Sequence, residues 1–242
     1  MPGTLTKSIQ TICIIGNSYV GAVYKAYENC KSQLPDIKID FYTAAGLDFP
    51  RLDIIDNSIV NVKFSNTKDY GNINSYDAYF IYGDMLSPHG IIQLELELKK
   101  LAYSQQVINC AVVDNINASH TLNIYNKLKK ITQTSIYLMS HNILQQTTLS
   151  LNYEQYFNAL KVLEKTLGEN IYHAFPEELF DNALVPKDIY YSGSVGIDGR
   201  SASQIAGHDR YHMNEQGGAL ILGSMLRKAM GKQYSNMYPT KP

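Results

Sequence analysis

The feature that most constrains the fold is the alternation of short apolar runs with longer segments whose apolar residues recur at helical spacing. The first run, residues 9–15, is β-branched and ends at Gly16, which is typical of a buried strand. Further strands are predicted at residues 37–42, 59–64, 78–82, 107–113 and 136–139, and helices at 18–31, 91–103, 121–131, 153–167 and 215–230. Strands that alternate with helices predict a three-layer α/β/α sandwich around a central parallel sheet.

The length and composition fit one globular domain over residues 1–242. With 242 residues and 45% hydrophobic residues, the chain can bury one sizeable core. Its 21 basic and 22 acidic residues leave no excess charge for a nucleic-acid surface. No apolar stretch approaches the roughly 18 residues of a membrane span. Three cysteines without metal-binding spacing favour a reducing compartment, so we expect a cytoplasmic protein.

Gly16, Asn17 and Ser18 join the first predicted strand to the first predicted helix. Glycine can adopt backbone conformations closed to other residues, which allows a tight turn. The helix N-terminus offers unpaired N–H groups and the positive end of the helix dipole, which favour a developing negative charge. Ser18 is therefore a candidate nucleophile whose backbone contributes to an oxyanion hole. The alternative is that Ser18 only caps the helix, because serine is a preferred N-cap residue.

Asp209 and His212 stand three residues apart, just before the last predicted helix, which Asn214 is placed to cap. One turn of chain would bring the Asp209 carboxylate to Nδ1–H of the imidazole and leave Nε2 to act as a base. The alternative is that such a pair arises by chance and that His212 only caps or pairs locally. His208 is a rival base, and His141 is the best placed of the remaining histidines because it follows a predicted strand.

A Gly-x-Ser after the first strand, combined with an Asp-x-x-His before the last helix, resembles the SGNH (GDSL-like) hydrolase superfamily over nearly the whole chain. The Gly-Asn-Ser form is similar to that of a bacterial subgroup associated with surface-glycan synthesis. The resemblance implies an SGNH/flavodoxin-like sandwich and an oxyanion hole formed by the backbone of Ser18, Gly46 and Gly83.

One family motif is incomplete in this chain. The family carries Gly-x-Asn-Asp after a central strand, and its asparagine side chain completes the oxyanion hole. Here Gly83 is followed by Asp84 and Met85, so the asparagine is missing. Asn115, after the predicted strand at 107–113, is the candidate substitute. Loss of one oxyanion donor costs about 2.7–4 kcal/mol of transition-state stabilisation.

The resemblance implies acyl transfer with Ser18 as nucleophile, His212 as base and Asp209 as its orienting group. If water resolves the acyl-serine, the protein is an esterase or deacetylase acting on a small acyl ester, with a carbohydrate as a candidate carrier. If a sugar hydroxyl resolves it, the protein is an O-acyltransferase. A catalytically inactive SGNH-fold protein that binds a glycan or a partner also fits the missing asparagine. A nucleotide-binding domain fits less well, because no glycine-rich phosphate motif is present.

Four residues beside the predicted site are candidate substrate contacts, namely Asn17, Tyr19, Asp84 and Tyr211. The chain has 19 tyrosines and no tryptophan; tyrosine suits sugar binding but is also common on half-buried surfaces. No metal or organic cofactor is predicted, because no ligand spacing suggests one. The expected partner is a small acyl ester or glycan, and the oligomeric state stays open.

Overall fold

Strands and helices alternate along the chain as the apolar pattern predicts. The computed structural model describes residues 11–44, 46–68, 73–83, 88–140, 153–168, 171–172, 177–179, 187–190 and 212–231. The strands are β1 (Thr11–Gly16), β2 (Lys38–Thr43), β3 (Asp53–Ile55), β4 (Ser58–Val60), β5 (Phe64–Ser65), β6 (Ala78–Tyr82), β7 (Ser135–Met139) and β8 (Ile171–Tyr172). The α-helices are α1 (Val20–Cys30), α2 (Pro88–Lys100), α3 (Gln105–Asn117), α4 (His120–Ile131), α5 (Tyr153–Leu167) and α6 (Glu215–Met230).

The central sheet has six strands in the order β5-β2-β1-β6-β7-β8. All of its neighbouring pairs are parallel except β2 with β5, which is antiparallel and lies at one edge. The chain leaves β1 toward β2 on one side and later adds β6 on the other side. The strand order therefore reverses between β1 and β6, and in open α/β sheets the crevice beyond the carboxyl ends at such a point is where ligands bind.

The sheet is covered on both faces. Ile12 and Ile14 of β1 pack into a core with α1 and α6, whereas Cys13 and Ile15 pack into a second core with helices α2 to α5. Because successive side chains of a strand point to opposite faces, one apolar strand contributes to both cores. The prediction of an α/β fold with a mainly parallel sheet is confirmed. Within the described ranges, no helix combines the length and apolar character needed to cross a membrane.

Two predicted strands are wrong. Residues 107–113 lie inside helix α3, and Asn115 is exposed on that helix rather than placed beyond a strand. Asn115 therefore does not follow a strand, which was the reason to expect it at the oxyanion hole. Residues 59–64 do not form one strand, because Asn61 adopts a left-handed φ of 59°. The chain breaks there into β4, which pairs with β3, and β5, which joins the main sheet.

Candidate active site

The turn between β1 and α1 carries Ser18 to the carboxyl edge of the sheet, beside the β1–β6 switch point. A Cβ on Gly16 would lie 2.1 Å from the carbonyl oxygen of Tyr82 and 2.4 Å from a methyl group of Val20. Gly16 has the extended backbone of a strand, so the predicted need for an unusual backbone conformation is wrong. Glycine is required because any side chain would collide with β6 and with the first turn of α1.

The hydroxyl of Ser18 contacts the imidazole of His212. Ser18 Oγ and His212 Nε2 lie 2.8 Å apart, although 194 positions separate the two residues. Both side chains are half-buried. Helix α1 begins only at Val20 and has no side-chain cap, so the alternative that Ser18 is simply a helix cap is wrong. A serine hydroxyl within hydrogen-bond reach of a histidine is the nucleophile–base arrangement of covalent catalysis.

The start of α6 fixes the position of His212. Asn214 caps the helix by accepting a hydrogen bond from Gly217 N–H at 3.1 Å, which confirms its predicted role. The backbone N–H of Asn214 donates to Tyr190 O, and its side-chain amide donates to Ile189 O, each at 2.6 Å. The segment that carries His212 is therefore tied to its own helix and to residues 189–190.

Helices α1 and α6 approach each other closely behind the Ser18–His212 pair. A Cβ on Gly218 would lie 2.1 Å from the backbone oxygen of Ala22. Asn29 of α1 also donates a hydrogen bond to Glu215 of α6. The two helices that follow the serine and the histidine are thus packed backbone to backbone. Sequence reasoning missed Gly218; its signal was an adjacent pair of glycines inside a helix, where each costs about 1 kcal/mol relative to alanine.

Gly46, which is expected to supply a second backbone donor, follows β2. It opens the 3₁₀ turn Gly46–Arg51 with a φ of 50°, and a Cβ there would meet no atom within 4 Å. The left-handed backbone, rather than lack of space, therefore favours glycine. The end of β2 runs beside that of β1, because Ala44 N–H donates to Gly16 O at 3.1 Å. Within the described residues, the N–H groups of Ser18 and Gly46 donate no hydrogen bond.

Gly83 presents a carbonyl, not an N–H group, to the serine turn. The oxygens of Tyr82 and Gly83 accept hydrogen bonds from the backbone N–H and the side-chain amide of Asn17, at 3.1 and 2.5 Å. In a planar trans peptide the C=O and N–H groups point in opposite directions. The N–H of Gly83 therefore points away from Asn17, and this geometry lends no support to the expected donor at Gly83.

An aromatic ring fixes Gly83 from the other side. A Cβ on Gly83 would lie 1.9 Å from the ring of Phe49, which belongs to the turn that Gly46 opens. The Phe49 ring also meets His120 edge to face, with centroids 5.2 Å apart. Phe49 therefore packs the segment after β2 against the segment after β6. Nothing in the local sequence pattern around Phe49 predicted this contact.

Tyr19 lies directly beside the base. Its ring centroid is 5.3 Å from that of His212 and 6.2 Å from that of Tyr82, in tilted arrangements. Tyr19 therefore lies against one side of the Ser18–His212 pair. This position keeps Tyr19 a candidate substrate contact. Asp209, Asp84 and Tyr211 lie outside the described residues, as do His208 and His141.

Among the described residues, no group of three or more His, Cys, Asp or Glu side chains is arranged to hold a metal ion. The fold and the site thus define an α/β protein with a serine–histidine pair at the switch point of a mainly parallel sheet. No protein-family model matches the chain, and no curated protein or solved structure matches it significantly. The site geometry and the two sequence motifs are what bear on its function.

Proposed function

We propose that this protein is a serine hydrolase that cleaves a small acyl ester through a covalent acyl-serine, as SGNH hydrolases do. The observation that carries the proposal is the 2.8 Å contact between Ser18 Oγ and His212 Nε2 at the switch point of the sheet. The two residues come from opposite ends of the chain. Ser18 follows β1 and His212 precedes α6, in agreement with the two sequence motifs. Asp209 is the proposed orienting group for His212.

In the proposed reaction His212 Nε2 accepts the Ser18 proton as Ser18 Oγ attacks the ester carbonyl carbon. The negative oxygen of the tetrahedral intermediate is held by the backbone N–H groups of Ser18 and Gly46. The bond to the leaving alcohol then breaks, and His212 returns the proton to that alcohol. Water, deprotonated by His212, then attacks the acyl-serine. The bond from the acyl carbon to Ser18 Oγ breaks, the acid leaves, and His212 returns the proton to Ser18 Oγ. The substrate class we propose is an acyl ester of a carbohydrate, because Tyr19 offers a ring face with a polar tip beside the pair.

A second candidate is a protein that keeps this fold but binds a glycan or partner without turning it over. The observation that favours it is the orientation of Tyr82 and Gly83, whose carbonyls face the turn that the nucleophile occupies. Carbonyl oxygens do not stabilise an oxyanion, so the hole has fewer donors than the family pattern supplies.

The deciding experiment is labelling with a fluorophosphonate probe, read by intact mass. The parent should gain one adduct, and Ser18→Ala and His212→Ala should gain none, because one lacks the nucleophile and the other its base. Ser119→Ala is the matched control. Ser119 is a helix cap whose Oγ accepts from Leu122 N–H at 3.2 Å, so its loss should leave labelling unchanged. A folded parent that takes up no probe would favour the non-catalytic candidate.

A labelled parent would next be given an acetylated sugar with and without a second, unacetylated sugar. Release of free acetate in both cases identifies a hydrolase. Transfer of the acetyl group to the second sugar identifies the O-acyltransferase alternative, because the two activities differ only in which hydroxyl reaches the acyl-serine.

A further inference from the structure

Asn17 is the residue through which the serine turn is joined to the neighbouring strand. Its backbone N–H donates to Tyr82 O at 3.1 Å and its side-chain amide donates to Gly83 O at 2.5 Å. Its side-chain oxygen accepts from Tyr19 N–H, and its backbone oxygen accepts from Val20 N–H, both at 3.1 Å. Both donor contacts go to the end of β6, and both acceptor contacts go to the start of α1.

We propose that Asn17 is a positioning residue, which locks Ser18 against β6 through the amide of its side chain. The residue directly before the nucleophile is held by four hydrogen bonds, so the Ser18 backbone has little freedom to move away from His212. Engagement with both Gly83 and Tyr19 makes Asn17 a part of the scaffold rather than the substrate contact that its place beside Ser18 suggested.

The role requires an amide. The group facing Gly83 O must be a donor, and the group facing Tyr19 N–H must be an acceptor; an asparagine side chain supplies both at once. An ionised carboxylate is an acceptor only and would face a carbonyl oxygen. An aspartate here would have to be protonated to make the same contact. The glycine–asparagine–serine sequence is thus matched to a carbonyl that points at the turn.

The test compares Asn17→Asp and Asn17→Ala with the parent by the rate of fluorophosphonate labelling between pH 5 and 9. The rate of each variant is divided by the rate of the parent at the same pH, so that the pH dependence of the parent cancels. The rate of Asn17→Asp relative to the parent should fall about tenfold or more across this range, because the introduced carboxyl loses the proton it needs to donate. The relative rate of Asn17→Ala should be low, by about tenfold or more, and independent of pH.

Asn115→Asp is the charge-matched control, because Asn115 is exposed on α3. Its relative labelling rate should stay near one at every pH. A relative rate for Asn17→Asp that does not change with pH, or labelling of Asn17→Ala at the parent rate, would overturn the proposal.

The kinetic readout rests on the proposed serine chemistry, so a thermal-unfolding series provides an independent one. The carboxyl of Asn17→Asp would face Gly83 O, which disfavours its charged form, so its pKa should be raised in the folded state. Its stability should match the parent most closely below about pH 4 and be lost as pH rises through that raised pKa. We expect the Tm difference from the parent to grow to about 3–6 °C at pH 8. If the parent does not label but Asn17→Asp shows this pH-dependent Tm difference, the hydrolase is refuted and the positioning role of Asn17 stands. A Tm difference that does not change with pH refutes the positioning role.

Discussion

The close approach of α1 and α6 gives a sharp perturbation, the substitution Gly218→Ala. Alanine suits the interior of a helix better than glycine by about 1 kcal/mol, so α6 itself should gain stability. The added Cβ, however, would lie 2.1 Å from Ala22 O, 2.3 Å from Ala22 C and 2.9 Å from Val23 N. These are backbone atoms of α1, which cannot rotate away as a side chain can. The two helices must therefore move apart.

The size of the movement follows from the contact distance. The Cβ falls about 1.3 Å short of the 3.4 Å at which ordinary contact begins. Gly218 lies six residues after His212, and Ala22 lies four residues after Ser18. A shift of about 1 Å between the helices would stretch the 2.8 Å Ser18–His212 contact beyond about 3.5 Å, where no hydrogen bond remains. Misplacement by about 1 Å costs about 100-fold in rate, or about 2.7 kcal/mol.

The assay is the rate of fluorophosphonate labelling, with Tm measured on the same samples. Overpacking of about 1–3 kcal/mol, less the gain in helix propensity, should lower Tm by at most about 8 °C. Gly217→Ala is the matched control, because the three atoms nearest to its Cβ all belong to the side chain of Met213, at 3.1 Å or more, and none is a backbone atom of α1; it should label within about threefold of the parent. If Gly218→Ala folds and labels as fast as the parent, the helix approach does not set the distance between serine and histidine.

Three further predictions concern other parts of the chain. Gly46→Ala places a side chain at a φ of 50°, which costs about 1–2 kcal/mol, so Tm should fall. Because alanine keeps the backbone N–H, labelling should slow about tenfold or more only if the turn relaxes and moves that N–H away from the oxyanion; an unchanged Tm would contradict the strained backbone. Burial raises the pKa of Asp53, but hydrogen bonds from Lys127 and from Ile54 N–H, together with the positive charge of Lys127, outweigh this and lower the pKa overall. Lys127→Met should therefore lower Tm by about 2–4 °C at pH 7, and the difference should shrink as pH falls below about 4; a difference that persists in acid would contradict the ion pair. Burial and the nearby Asp40 carboxylate raise the pKa of Cys13, whereas Cys110 is exposed. Iodoacetamide should therefore modify Cys110 in the native protein and Cys13 only after unfolding. Peptide masses measured before and after unfolding would check this order.

The sheet was predictable from sequence because its strands are short apolar runs bounded by turns, and α3 shows why one such run misled. Ile108, Val112 and Ile116 of α3 are buried at helical spacing, yet Val107 and Val113 on its other side are 46% and 37% exposed. Apolar residues on two faces hide the helical period and leave a β-branched run that resembles a strand. The missed signal was Ser104, whose side chain caps the helix by accepting from Val107 N–H.

The pairing of Ser18 with His212 could be predicted because the parallel sheet brings the end of its first strand and the start of the last helix to one edge. The reasons why glycine is required at particular positions could not be predicted. Gly16 and Gly218 are required by backbone atoms of Tyr82 and Ala22, and such close approaches depend on tertiary packing that no local pattern records. The direction of the Gly83 carbonyl is likewise a property of the neighbouring turn, since Asn17 determines it.

One hydrogen bond between neutral side chains contributes only about 1 kcal/mol, which is too little to bring together residues 194 positions apart. The distance between Ser18 and His212 must therefore be set by what holds their elements. On the serine side, Asn17 joins the turn to β6; on the histidine side, Gly218 lets α6 rest on the backbone of α1. The two supports act on opposite partners and share no residue. Weakening either one should slow the same labelling reaction while leaving the other support intact. In the combined variant, the two increases in activation free energy for labelling should approximately add.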